Sequence, residues 1–316
     1  MSVYKRIWVT GGLGVLGRAL HLIEAEFPGR EFIYSGSKDC DLTNVGAVNA
    51  FVQKHTPDAI LHFAAKAGGI GKSISSPATL FRENLAMNLN VVEAARLFGV
   101  KKVVMTLSVG MYPEHAPIPL KEEYIHDGPP HPSNASYAFA KRMVDPLIRS
   151  YRAEYGTNII GLLPNGIFGE YADYNQERSV MLCSVIRRFY EEKDKGEKLT
   201  IWGDGSPLRE YTYAADLARA FMWALDNYDG EQFLNVGSTE EHSVKEMAQM
   251  VADIMGIEHT RLTFDTSKPA GIFRRSSDNS RFLKLSGFKY TPFREGLERS
   301  VRWFVEHYAD PSKVRL

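Results

Sequence analysis

Over the first 164 positions, apolar residues fall into short unbroken runs separated by longer stretches in which they recur every three or four residues. Ile7–Thr10, Glu31–Tyr34, Ala59–Phe63, Lys101–Leu107 and Asn158–Leu163 are the runs. Between them, Leu16, Leu20 and Ile23, then Val45 to Lys54, Leu85 to Phe98 and Tyr137 to Tyr155 carry the helical period. Strands that are apolar throughout, rather than on alternate positions, are buried on both faces. The pattern therefore predicts a parallel sheet with helices on either side.

The rhythm breaks after Pro164. Residues 165–213 read as loop around one amphipathic helix, Val180 to Glu192. A crossover helix, Ala214 to Asp226, and a short strand, Phe233–Val236, return to the sheet. The rest, 239–316, reads as a small mixed unit that ends in a helix near Arg294 to His307. The expected organisation is a nucleotide-binding unit of residues 1–164 plus about 214–238, and a substrate unit of 165–213 plus about 239–316.

Length and composition fit this picture. A chain of 316 residues is long enough for two units around a sizeable core. Its formal net charge is zero, so no overall field draws nucleic acid or an acidic membrane. Two cysteines, Cys40 and Cys183, make no disulfide framework and suit a reducing compartment, so a cytoplasmic location is expected. The N-terminus has no signal-peptide pattern, and no apolar run is long enough to span a bilayer. The histidines are scattered without ligand spacing, so no metal is expected.

Chemistry enters at the first strand-to-helix turn. Gly11, Gly14 and Gly17 follow an apolar strand and open a helix. Glycines at that spacing allow a tight turn, close approach of backbone to pyrophosphate and close helix-to-strand packing. The helix N-terminus offers free N–H groups to the phosphates. The fold class expected is α/β, a doubly wound parallel Rossmann sheet with a smaller mixed α/β substrate-binding domain. At the end of the second strand, where an acidic residue would hold the ribose of NAD, the chain reads Tyr34-Ser35-Gly36-Ser37-Lys38. Two serine hydroxyls and an ammonium favour a 2′-phosphate, hence NADP(H).

The catalytic candidates lie later. Tyr137 and Lys141 stand one helical turn apart and share a side. A phenol titrates too high for easy proton transfer at neutral pH, and an ammonium beside it is expected to lower its pKa. Ser108 follows the fourth strand at the carboxyl edge of the sheet, where a hydroxyl can steady charge on a substrate oxygen. Together they point to hydride chemistry on a carbonyl or an alcohol, with the phenol as proton donor.

These residues resemble the extended short-chain dehydrogenase/reductases and, more narrowly, the GDP-L-fucose synthase family. The likeness is carried by Ser37–Thr43, Ala64–Ile70, Ile125–His131, Ala140–Met143, Trp202–Glu210 and Phe264–Pro269. The resemblance implies epimerisation of a GDP-linked 4-keto-6-deoxymannose at C3 and C5, followed by reduction at C4 with NADPH. Carried over by position, Ser108, Tyr137 and Lys141 are the reductase set. Gly11, Gly14, Gly17, Ser37, Lys38, Asp41, Ala64 and Ala65 join Tyr137 and Lys141 around NADP. Arg187, Trp202 and Arg209 face the nucleotide sugar, where guanidinium groups pair with diphosphate and an indole lines the sugar pocket. Family members commonly form homodimers through the helices that carry the tyrosine, which Met143, Leu147 and Ile148 would allow.

The chain departs from the family at two places. The epimerase cysteine, two residues after the catalytic serine, is replaced by Gly110. The epimerase histidine, counted back from Arg187-Arg188, is replaced by Val180. Neither can carry a proton, while hydride transfer to C4 needs neither. The expectation is a C4-ketoreductase acting on a GDP-linked 6-deoxy or heptose 4-keto sugar without epimerisation. A full epimerase/reductase, with Cys183 as a substitute group, is the alternative. A dehydratase would want an acid beside Ser108, where Val109 stands. A non-catalytic NADP-binding regulator would not need the Ser108, Tyr137 and Lys141 set.

Overall fold

The computed structural model describes residues 3–68, 73–176, 179–268 and 272–316. Its centre is a six-stranded parallel sheet. The strands are β1 (Arg6–Thr10), β2 (Glu31–Ser35), β3 (Ala59–His62), β4 (Lys102–Thr106), β5 (Ile159–Pro164) and β9 (Leu234–Val236), in the order β2-β1-β3-β4-β5-β9. The order reverses between β1 and β3, and ligands of such sheets bind in the crevice beyond the carboxyl ends at that reversal.

Each strand feeds both faces. Ile7, Val9, Leu61, Val104 and Leu162 point into one core, with α1 (Val15–Ile23) and α7 (Ala214–Asn227). Trp8, Ile60, Val103, Met105 and Leu163 point into the other, with α2 (Val45–His55) and α3 (Pro77–Leu97). The Trp8 side chain is fully buried and its indole N–H finds Ser35 Oγ at 2.8 Å. Truncating such a ring in a packed core costs about 3–5 kcal/mol.

The helix expected over 85–98 begins two turns earlier, at Pro77. A proline is favoured at a first helical position, and the polar run Arg82-Glu83-Asn84 hides the start of the apolar period. The helix expected over 137–155 is two: α4 (Ala135–Arg142) and α5 (Val144–Tyr155). Pro146 has no N–H to give the Arg142 carbonyl, so the ladder breaks there.

Residues 165–213 hold more strand than their pattern suggests. β6 (Gly166–Phe168) and β8 (Leu208–Tyr213) pair in parallel, and β10 (Glu241–Ser243) closes that sheet antiparallel to β8. β7 (Leu199–Trp202) pairs with β11 (Leu262–Asp265). Around them pack α6 (Met181–Glu192), α8 (Val244–Met255), α9 (Ser280–Ser286) and α10 (Phe293–His307). α8 opens on a reciprocal cap in which Ser243 Oγ accepts the Glu246 N–H and Glu246 accepts the Ser243 N–H. Among the described residues no helix is long and apolar enough to cross a membrane.

Candidate active site

The glycine turn leaves β1 at the β1/β3 reversal. Gly11 has φ +64°, and a Cβ there would sit 2.8 Å from the backbone of Ala64. A Cβ on Gly17 would lie 2.5 Å from Gly12 Cα, so α1 can approach the turn only without one. Gly14 is the N-cap of α1 and makes no side-chain cap, which leaves the first helix amides for a ligand. Ala64 and Ala65 follow β3, and the Ala64 N–H reaches Thr10 Oγ1 at 3.3 Å. Ser37 and Lys38 are exposed on the loop after β2. Asp41 turns its carboxylate to the Thr43 hydroxyl and N–H, which hold its pKa below the ordinary value. A backbone cradle beside a free ammonium fits a dinucleotide carrying a 2′-phosphate. Gly69 and Ile70, and Pro269 further on, lie outside the described residues.

Ser108, Tyr137 and Lys141 converge at the carboxyl ends of β4 and β5. Ser108 begins the turn after β4, and its Oγ accepts the Gly110 N–H at 3.3 Å. The Ser108 hydroxyl lies near enough to the Tyr137 phenol to favour its ionised form. Lys141 is 1% exposed and its ammonium donates to the Thr106 carbonyl at 2.9 Å. Burial lowers the Lys141 pKa to about 8.

The phenol does not follow expectation. Its pKa is raised, because burial disfavours the phenolate more than the nearby Ser108 hydroxyl favours it. Sequence spacing puts the ammonium on the same side as the phenol but does not set where Nζ points. Nζ is held by the Thr106 carbonyl. Behind it, the buried His62 bridges Thr10 Oγ1 at 2.9 Å and Asn88 Oδ1 at 3.1 Å. Burial, and then the Lys141 charge, push its pKa down to about 3, so it stays neutral.

A cavity of 480 Å³ opens beside Tyr137. Ser73, His131, Ser133, Asn134 and Arg275 give it polar lining, and Leu80 and Ile272 apolar lining. Ser133 donates its N–H to His131 Nδ1 at 3.2 Å, which leaves the proton on Nε2, 3.5 Å from Glu114. Two guanidinium groups brace the serine turn. Arg142, next to Lys141 on α4, donates to the Met111 carbonyl from Nε at 2.9 Å and from Nη2. Arg275 donates to the carbonyls of Val109 at 3.2 Å and Tyr112 at 3.1 Å. No sequence motif gives either arginine, or Asn134, a role. Arg142 stands beside Lys141 in a stretch already singled out, whereas Arg275 reaches the site across more than 160 positions and leaves no local signal.

The three residues assigned to the nucleotide sugar lie elsewhere, and none lines this cavity. Arg187, on α6, pairs with Glu191 at 2.7 Å. Trp202, at the end of β7, is 62% exposed, with the Lys268 ammonium 6.0 Å from its ring centroid. Arg209, on β8, donates to the Phe273 carbonyl at 3.3 Å, and so meets the segment that brings Ile272 and Arg275 to the cavity. Ile148 is fully buried in the core and offers nothing to a partner chain, because α5 turns that face inward. Met143 is 38% exposed.

Residues 7–237 match the NAD dependent epimerase/dehydratase family. A GDP-L-fucose synthase from Dictyostelium discoideum is 33% identical over 314 residues, covering 98% of each chain. A GDP-L-fucose synthetase from Naegleria fowleri, solved with NADP bound, superposes with a TM-score of 0.93 at 33% identity, over 99% of this chain and 95% of that one. A GDP-mannoheptose C4 reductase from Campylobacter jejuni, also with NADP bound, gives 0.85 at 27% identity, over 96% and 99%.

Proposed function

We propose a function for a chain that belongs to the NAD dependent epimerase/dehydratase family and, within it, to the GDP-L-fucose synthase group. It is an NADPH-dependent C4-ketoreductase of a GDP-linked 4-keto sugar, and it leaves C3 and C5 as it finds them. The observation that carries this reading is a phenol, Tyr137, on the wall of a cavity with room for a sugar ring, with the Ser108 hydroxyl near it and a buried Lys141 one helical turn on.

NADPH, when bound, supplies a hydride to the carbonyl carbon. The chain's own groups handle the oxygen. The Tyr137 Oη–H gives its proton to the developing alkoxide, and a phenol whose pKa lies above the usual 10 is protonated and ready to do so. The Ser108 hydroxyl is the second donor available to that oxygen. The Lys141 ammonium keeps positive charge in a buried site, which favours the phenolate left behind.

Epimerisation beside a ketone needs a base on one face of the carbon and an acid on the other. Gly110 has no side chain and Val180 an apolar one. Cys183 is 1% exposed, and burial pushes its thiol up to about 12, so it presents no thiolate to a substrate. The likeness to a mannoheptose C4 reductase supports a sugar whose stereochemistry is already set. In this reading the dinucleotide lies on residues 1–164 with about 214–238. The nucleotide sugar lies against the remainder, where Arg187, Trp202 and Arg209 stand. The enzyme works in the cytoplasm as a homodimer.

The test is turnover of GDP-linked 4-keto sugars with NADPH in deuterated water, with product read by NMR. Oxidation of NADPH without deuterium at C3 or C5 is the expected result. Deuterium at either carbon would establish a full epimerase/reductase instead.

A further inference from the structure

Asn134 occupies the N-cap position of α4, where an asparagine side chain ordinarily accepts a hydrogen bond from the first helical turn. It makes no such bond. Its Oδ1 instead accepts the Ser73 hydroxyl at 2.9 Å, which fixes the orientation of the carboxamide. The other end, Nδ2, faces the serine turn. A first side-chain carbon on Gly110 would lie 3.2 Å from Asn134 Nδ2 and 3.5 Å from Ser108 Oγ. Asn134 Nδ2 and Ser108 Oγ therefore look onto one point, which glycine leaves open, and Asn134 itself stands with Tyr137 on the cavity wall.

We propose that Asn134 is a substrate-binding residue whose Nδ2 donates a hydrogen bond to the sugar hydroxyl on the carbon beside the reacting carbonyl, the C3 hydroxyl of a 4-keto sugar. The inference rests on the C4-reductase reading. Ser108 and Tyr137 supply donors for the carbonyl oxygen, and the oxygen of the neighbouring carbon falls within reach of the next donor along the wall. A carboxamide can hold that hydroxyl but cannot ionise, so it fixes the ring without drawing a proton from it. Ser73 commits the carbonyl end of the amide, which leaves only donors for the sugar and selects a lone-pair-bearing oxygen.

The test is equilibrium binding of a GDP-linked 6-deoxyhexose and its 3-deoxy counterpart to the NADP-loaded protein, for wild type, Asn134→Ala and Asn134→Asp. Asn134→Asp keeps an acceptor for Ser73 and removes the donor. Both variants are expected to bind the hydroxylated sugar roughly tenfold to a hundredfold more weakly, and the 3-deoxy sugar within about threefold of wild type. Gly110→Ala crowds Nδ2 from the other side and is expected to weaken only the hydroxylated sugar. Equal losses on both sugars, or none on either, would overturn the assignment. A GDP-sugar bound in this Asn134-dependent way but never reduced as its 4-keto form would instead defeat the reductase reading and leave Asn134 where it is placed.

Discussion

Replacing Lys141 by methionine should make the protein more stable and inactive. Nζ is buried, and its pKa lies at about 8 instead of 10.5. At 1.36 kcal/mol for each tenfold change in proton affinity, keeping that ammonium charged burdens the fold by about 3 kcal/mol. A lysine whose folded pKa lies below its unfolded one costs most where both states are charged. The burden is complete below about pH 8 and fades as the pH rises towards 10.5, because there only the unfolded chain still binds the proton. Methionine removes the burden and nearly keeps the volume, but it leaves the Thr106 carbonyl without its donor, an offset of about 1–2 kcal/mol. The net gain at pH 6.5 is about 1–2 kcal/mol. With an unfolding entropy near 2.1 cal/mol/K per residue, that is a rise in Tm of about 2 °C for a chain this long. At pH 9.5 the remaining burden is about 1.4 kcal/mol, and the two proteins should melt together. Calorimetry of the ligand-free proteins at both pH values, alongside NADPH oxidation, measures this. A variant less stable than wild type by the same margin at both pH values would refute the argument, since the ammonium would then be a structural tie and not a strained functional charge.

Two further outcomes follow from the same geometry. Tyr137→Phe should lower turnover by about 10²–10⁴-fold while NADPH binding, followed by fluorescence, stays intact, because only the proton donor is lost. Lys38→Ala should raise the KM for NADPH by roughly tenfold and leave that for NADH unchanged, as expected if the exposed ammonium after β2 meets only the 2′-phosphate. A matching loss with NADH would show that Lys38 acts on something else.

Much of the sheet was legible because its signals are local. The glycine turn, the apolar runs and the Tyr137–Lys141 spacing each sit within a few residues, and the six strands follow from them. The three strands inside 165–213 were not legible, because β6 is three residues long and β7 and β8 find their partners about thirty to sixty positions away. The break at Met143 was readable from Pro146, yet the apolar period runs through it. At the site, identity was easier to read than direction. The chain names a serine, a phenol and an ammonium, but their order of hydrogen bonds depends on Thr106, Arg142 and Arg275, which join the site only when β4, α4 and the C-terminal segment come together.

The Arg275 contact has a consequence for where this enzyme can be cut. The glycine turn, the serine, the tyrosine and the lysine all precede residue 142, so a fragment ending near the last sheet strand would contain every group to which the proposed reaction gives a role. It would still lack the guanidinium that props the carbonyls on either side of the serine turn from the far end of the chain. The last quarter of the polypeptide is thus part of the scaffolding around the serine turn, and a fragment that stops before it would leave that turn without its brace.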